Sequence, residues 1–287
     1  MLKRVVKKKV RDFLKAKKNE TVNDALNRNI VKIQKKIFKK KYRIPDLKNA
    51  LIELGVSSGD NIFLHSSWRQ FYNFEGNPDD VIKLIREIIS DQGTLLMPSY
   101  GSDGTFFDVI NTPSSAGVLT EVFRKLPNTK RSACTHFSVC AQGPHAEDLT
   151  KDHLKSEYGF DKFSPCYKFT QLNKTKILFM GLGKIPTKIS LFHCAGYNLK
   201  MTNPFLKDIF SHQYKTTLII KGIKYEKNMI TRKPGHGNNN NTFRKIFKAI
   251  NNKNAKKISN LDLVVIDAQE GLQKAIEFAN KGFYCYK

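Results

Sequence analysis

The stretch DLKNALIELGVSSGDNIFLHSS (46–67), continued by PDDVIKLIREIIS (78–90) and GTLLMPSY (93–100), decides the fold class. Apolar residues recur at three- and four-residue spacing in DLKNALIEL and PDDVIKLIREIIS, which predicts helices. NIFLHSS and GTLLMPSY are short apolar runs bounded by turn residues, the texture of buried strands. Strands alternating with amphipathic helices predict an α/β fold, a three-layer α/β/α sandwich around a largely parallel sheet. Further along, TKILFMGLG (175–183) and LDLVVIDA (261–268) add strands, AQEGLQKAIEFAN (268–280) closes the domain as a helix, and GHGNNNNT (235–242) marks a flexible loop.

The 287 residues carry 50 Lys and Arg against 25 Asp and Glu, a net charge of +25. Such a balance favours polyanionic partners. Much of it is local: residues 1–43 hold 17 Lys/Arg against 3 Asp/Glu, or +14, leaving +11 for the rest. Val6, Val10, Phe13 and Leu14 fall at helical spacing among these lysines. We therefore read 1–43 as a basic, amphipathic helical extension suited to an anionic membrane surface, and 44–287 as the main domain. No apolar run reaches the roughly 18 residues that span a bilayer. The five cysteines show neither CxxC pairing nor zinc-like spacing, so neither a disulfide framework nor a metal site is expected. The expectation is a cytoplasmic protein, peripheral at most, with nucleic acid not among its partners and the oligomeric state left open.

A histidine in an apolar run, such as His193 in SLFHCAGY (190–197), usually fills space, because imidazole is half hydrocarbon and one partner satisfies it. A longer block changes that reading. LHSSW (64–68), GTLLMPSY, FFDVINTPSSAGVLTEVFRKLPNTKRS (106–132), FSVCAQGPHAEDLTKDH (137–153), SPCYKF (164–169) and SLFHCAGY occur in this order. Together they make the chain resemble the aminoglycoside 3-N-acetyltransferase family, which transfers acetyl from acetyl-CoA to an amino group of an amino sugar. The resemblance rests on collinearity over roughly 45–287 rather than on any one motif.

The resemblance implies that His193 is the catalytic base, with Ser190 as the hydroxyl preceding it. It also implies that His65, Ser66, Ser67, Thr112, Ser114 and Arg131 face coenzyme A. Asp108, His136, Ser190 and Tyr197 become candidates for the acceptor side. Chemistry agrees about the base, since an ammonium cannot attack a thioester and the site needs a group that takes its proton. The family places a glutamate three residues after this histidine, where this chain has Gly196. Glu226 is the candidate to orient the imidazole instead.

PF-x-K (204–207) with Phe210 is similar to the branch of the family found in bacterial surface-glycan loci, and the +11 of the main domain suits an anionic acceptor better than a polycation. Polysaccharide biosynthesis is thus the first reading. Antibiotic resistance is the alternative, and a non-catalytic anionic-surface or nucleic-acid binding protein on a decayed acetyltransferase scaffold is a third. RKPGHG (232–237) matches a glycine-rich pyrophosphate loop at only three of its six positions. Cys194 or Cys140 as an acyl-accepting nucleophile is disfavoured, because an extended chain would turn Cys194 away from His193.

Overall fold

The computed structural model describes residues 22–287 except 188, together with residues 10, 12, 13 and 15. Val6 and Leu14 of the expected basic helix lie outside the described residues. The chain enters as α1 (Val22–Ile37) and α2 (Ile44–Glu53), then β1 (Asn61–Ser66), α3 (Pro78–Ile89), β2 (Leu95–Pro98), β3 (Phe106–Asp108) and α4 (Val118–Phe123). It continues through β4 (Lys130–Arg131), β5 (Val139–Gln142), α5 (Ala146–Thr150), α6 (Pro165–Phe169), β6 (Thr175–Met180), α7 (His193–Leu199) and α8 (Pro204–Ile209). The final elements are β7 (His212–Ile220), β8 (Ile223–Thr231), α9 (Asn240–Ala249), β9 (Lys253–Ile258), β10 (Leu261–Asp267) and α10 (Ala268–Asn280).

Local chemistry sets the helix starts. Before α3, the Asn77 side chain accepts from Asp80 N at 3.1 Å while the Asp80 carboxylate accepts from Asn77 N at 2.8 Å. This reciprocal cap, with Pro78 in the first turn, satisfies amides that have no partner inside the helix. Asp46 caps α2 in the same sense by accepting from Arg43 N at 2.8 Å.

Seven strands form the main sheet in the order β4-β5-β2-β1-β6-β10-β9. Only the β2-β1-β6 centre is parallel, and the flanking pairs are antiparallel. The expected largely parallel sheet is therefore a mixed one. Helix α3 crosses between the parallel β1 and β2, whereas β4–β5 and β9–β10 are joined by short connections that return the chain antiparallel. Side chains alternate cleanly between two cores. Ile62, Leu64, Leu178, Met180, Leu263 and Val265 pack with α2, α3 and α4 on one face. Phe63, Ile177, Phe179, Val264 and Ile266 pack with α6, α7, α9 and α10 on the other, which completes the three layers. A second sheet, β3-β7-β8, lies outside the sequence expectation.

Helix α1 falls within the basic extension. It presents Leu26, Ile30, Ile33 and Ile37 to solvent and buries Ala25 and Val31. No described helix is long and apolar enough to cross a membrane.

Buried histidines give the fold a pH dependence. His65, which we expected to face coenzyme A, lies instead in the core between Phe63 (4.7 Å between ring centroids) and Phe179 (5.5 Å), with its Nε2 buried and unpartnered. Its place on β1 turns it to the same face as Phe63, under α6 and α7. Burial pushes its pKa down to about 4, and does the same for His153. Both folded-state values lie below the unfolded value near 6.5, so the unfolded chain binds more protons between these limits. Stability is full above about pH 6.5 and is lost as the pH falls toward 4, each histidine contributing roughly 1.4 kcal/mol for every pH unit between the two values. We predict that the melting temperature falls across this window, and that His65→Phe makes the fall shallower without lowering stability at pH 7. An unchanged slope in the variant, measured by calorimetry, would contradict the assignment.

Candidate active site

The C-terminal ends of the parallel strands β1, β2 and β6 share one edge of the sheet. From the same edge rise the 99–102 segment after β2, residues 136–138 before β5, and the 189–193 turn that leads into α7. With the end of β8 they enclose a cavity of about 570 Å³. Its walls include Tyr100, Ser115, His136, Phe160, Ser190, His193, Thr231, Arg232 and Asn238. This is the place where open α/β sheets hold ligands, and its size suits a small molecule.

Ser190–Phe192 forms a 3-10 turn that runs directly into α7, so SLFHCAGY is helical rather than extended. Ser190 and His193 are one turn apart and both line the cavity. The His193 Nδ1 lies 2.7 Å from Tyr286 Oη, and no hydrogen bond is formed by Nε2 among the described residues. Phe160 and Phe243 pack beside the imidazole at centroid distances of 5.0 and 5.9 Å. Burial, reinforced by the nearby Arg232 charge, pushes the His193 pKa down to about 3. The ring is therefore neutral throughout the physiological range, with a lone pair to offer.

Several expected site residues do other work. Glu226 does not reach His193: it is exposed on β8 and pairs with Lys215 at 2.5 Å and Lys224 at 2.8 Å. It stands among residues whose side chains face solvent on an outer strand, so lysines rather than the imidazole are its neighbours. Arg131 is not free for pyrophosphate. Its guanidinium donates to Ser99 O (2.6 Å), Thr112 O (2.6 Å) and Val109 O (3.1 Å) and lies over Phe107, which ties the 109–112 loop to the end of β2. Asp108 closes its own turn by accepting from Ile110 N, Asn111 N and Asn111 Nδ2 at 2.8–2.9 Å, so it does not line the cavity. Tyr197 stacks at 6.1 Å on Tyr158 outside the cavity wall, because a helical rather than extended backbone turns it there.

Of the remaining candidates, His136 is on the cavity wall, and Ser66, Ser67, Thr112 and Ser114 are not among its wall residues. His136 lines the cavity beside Tyr214, at 4.9 Å between centroids. Ser66 meets the 112–117 turn, where a Cβ added to Gly117 would lie 4.0 Å from Ser66 O. That turn adjoins the cavity through Ser115, and Ser67 follows at the end of β1. Thr112 Oγ1 accepts from Asp108 N at 2.8 Å and Ser114 Oγ from Ala116 N at 3.2 Å, which leaves each hydroxyl proton without an acceptor among the described residues. Cys194 is buried and its thiol is pushed far above the ordinary value, while that of Cys140 rises to about 11, so neither offers a thiolate.

Sequence reasoning missed Tyr286, Arg232, Tyr100 and Asn238. Arg232 was one of the three matched positions of RKPGHG, but only as part of a pyrophosphate loop and not as a neighbour of His193. Tyr286 comes to the site through pairing far along the chain: Asn239 N donates to Cys285 O at 2.8 Å and Lys287 N to Gly237 O at 3.1 Å.

Comparisons agree with this geometry. The chain is 34% identical over 145 residues to aminoglycoside N(3)-acetyltransferase IV of a Salmonella species, an alignment covering 50% of this chain and 54% of that enzyme. It is 24% identical over 184 residues to the SPbeta prophage-derived aminoglycoside N(3')-acetyltransferase-like protein YokD of Bacillus subtilis (strain 168), covering 54% and 66%. The chain thus spans about half to two thirds of the length of these curated relatives. Among solved structures, AAC-IIIb in a binary complex with CoASH superposes with a TM-score of 0.71 at 21% identity, over 85% of this chain and 98% of that one. Aminoglycoside acetyltransferase AAC(3)-Xa superposes at 0.72 with 16% identity, over 90% and 99%. These superpositions establish the shared fold. The family model described as aminoglycoside 3-N-acetyltransferase matches residues 63–280, from the middle of β1 to the end of α10 and across the whole cavity edge, and the chain belongs to that family.

Proposed function

We propose that this protein is an acetyl-CoA-dependent N-acetyltransferase in which His193 is the base. The observation that carries the reading is a neutral imidazole on the wall of a ligand-sized cavity, with one ring nitrogen fixed by Tyr286 and the other unengaged. Acetyl-CoA supplies an acetyl thioester as electrophile. Ser66, Ser67, Thr112 and Ser114 present hydroxyls that would hold its phosphate oxygens. An imidazole with so low a pKa does not deprotonate a free ammonium. It receives a proton only as the attacking nitrogen becomes acidic on bonding to carbon, so the acceptor amine must enter uncharged.

The names of the relatives support an aminoglycoside acceptor and a role in antibiotic resistance. The cavity favours a second reading on one observation: Arg232 is on its wall, and none of the wall residues named for it is Asp or Glu. Arg232 donates to Asn238 Oδ1 at 2.7 Å and has no carboxylate partner among the described residues. At the rim, the Asp103 carboxylate accepts from Thr105 N and Oγ1 and stays ionised. The wall itself would give a polycation no countercharge, whereas the Arg232 guanidinium would attract an anionic amino sugar, such as a nucleotide- or lipid-linked precursor of a surface glycan.

Two outcomes are expected. His193→Ala should lower kcat by roughly 100-fold or more while leaving CoA affinity and the melting temperature near those of the parent. Near-normal release of free CoA thiol by the variant would contradict the function. An anionic amino-sugar acceptor should show a higher kcat/KM than a kanamycin-like polycation and lose it as salt rises, because screening shortens the attraction to about 10 Å at 0.1 M. Strong preference for the polycation would remove the glycan reading and leave acetyl transfer standing.

A further inference from the structure

The proposal that His193 is the base leaves open what makes one ring nitrogen basic. A neutral imidazole carries its proton on either Nδ1 or Nε2, and only the Nδ1–H tautomer presents a lone pair on Nε2. We infer that Tyr286 is a positioning residue that accepts the Nδ1–H of His193 and so fixes the Nε2 lone pair toward the cavity. The inference rests on the His193 reading above.

Four features carry it. Tyr286 Oη lies 2.7 Å from Nδ1, and the two rings are nearly parallel, 24° apart. Tyr286 is only 3% exposed, the phenol of Tyr158 is buried near it, and burial keeps both phenols protonated. The Arg232 guanidinium lies 5.2 Å over the Tyr286 ring and lines the cavity beside His193. Its positive field favours a lone pair rather than a proton on the cavity side of the imidazole. Finally, Gly196 makes room: a Cβ there would stand 3.2 Å from the Tyr286 Oη and Cε2 and 2.8 Å from Phe210 Cε2. One helical turn after His193, a side chain would occupy the space that the phenol fills.

The pairing at 237–239 holds Tyr286 in register. Gly237 N donates to Lys287 O at 3.2 Å, and Asn238 and Tyr286 form an antiparallel bridge. In this arrangement the phenol is an uncharged acceptor. It holds the Nδ1–H tautomer that the Arg232 field favours, without stabilising the imidazolium as a carboxylate would, and so leaves the imidazole pKa low.

Tyr286→Phe, which keeps the ring, tests this. Nitrogen-15 NMR of the His193 ring in the full chain should show Nδ1 protonated in the parent and a shift of the population toward Nε2–H in the variant. With an amino-sugar acceptor, kcat should fall at least about tenfold, with KM for acetyl-CoA unchanged. Tyr158→Phe should give a smaller change in the same direction. An unchanged tautomer in Tyr286→Phe overturns the inference whatever the activity. A normal tautomer shift combined with full turnover in His193→Ala would instead overturn the catalytic reading, so the two failures are distinguishable. Loss of folding in Tyr286→Phe is checked by its melting temperature, and the Tyr158→Phe tautomer then decides.

Discussion

Burial of β1, β2 and β6 on both faces is the constraint on which the site depends. Strands covered on both sides must carry apolar side chains in both registers, as Ile62/Phe63/Leu64 and Ile177/Leu178/Phe179 do. Because the three strands run parallel, their chain ends leave the sheet together, and the segments that follow converge on one edge. Ser66, Tyr100 and Ser190 are brought together by this direction rather than by proximity in sequence. The antiparallel β5 starts at that edge, which is why His136 and Phe137 join the same cavity.

Packing and charge set the state of the imidazole. Phe160 and Phe243 pack beside the half-buried His193, and burial together with the Arg232 charge penalises its protonation. On the proposed function, His193 is a base that is neutral in the free protein and takes a proton only as the new bond forms, which would favour acceptors whose amines lose their proton readily. The same guanidinium that depresses the imidazole also sets the sign of the field that an acceptor meets.

What could be read in the sequence was what local pattern determines. The strands at 61–66 and 175–180 and the helices at 44–53, 78–89 and 268–280 show in apolar spacing and caps, and His193 shows in its motif. What could not be read depends on distant contacts. The β7–β8 hairpin has nine residues on each strand but fully buries only Thr216, Leu218 and Met229, so it lacks a strong apolar alternation. Glu226 was chosen because a carboxylate is the usual partner of an imidazole. No residue type or spacing could reveal that position 286 pairs back onto 238 and brings a phenol to Nδ1. Gly196 was legible as a departure from the family pattern, yet its meaning lay in the ring that fills its place. Arg131 was a reasonable phosphate ligand until the structure placed three carbonyl oxygens around it.

The measurement that tests the account most directly is the NMR titration of the His193 ring in the intact, unliganded protein. The account predicts that the imidazole stays neutral from pH 8 down to about 4, since burial and Arg232 place its pKa at about 3. A titration midpoint near the ordinary value of about 6.5 would contradict it, because the ring would then be water-exposed and its base strength set by solvent rather than by the cavity.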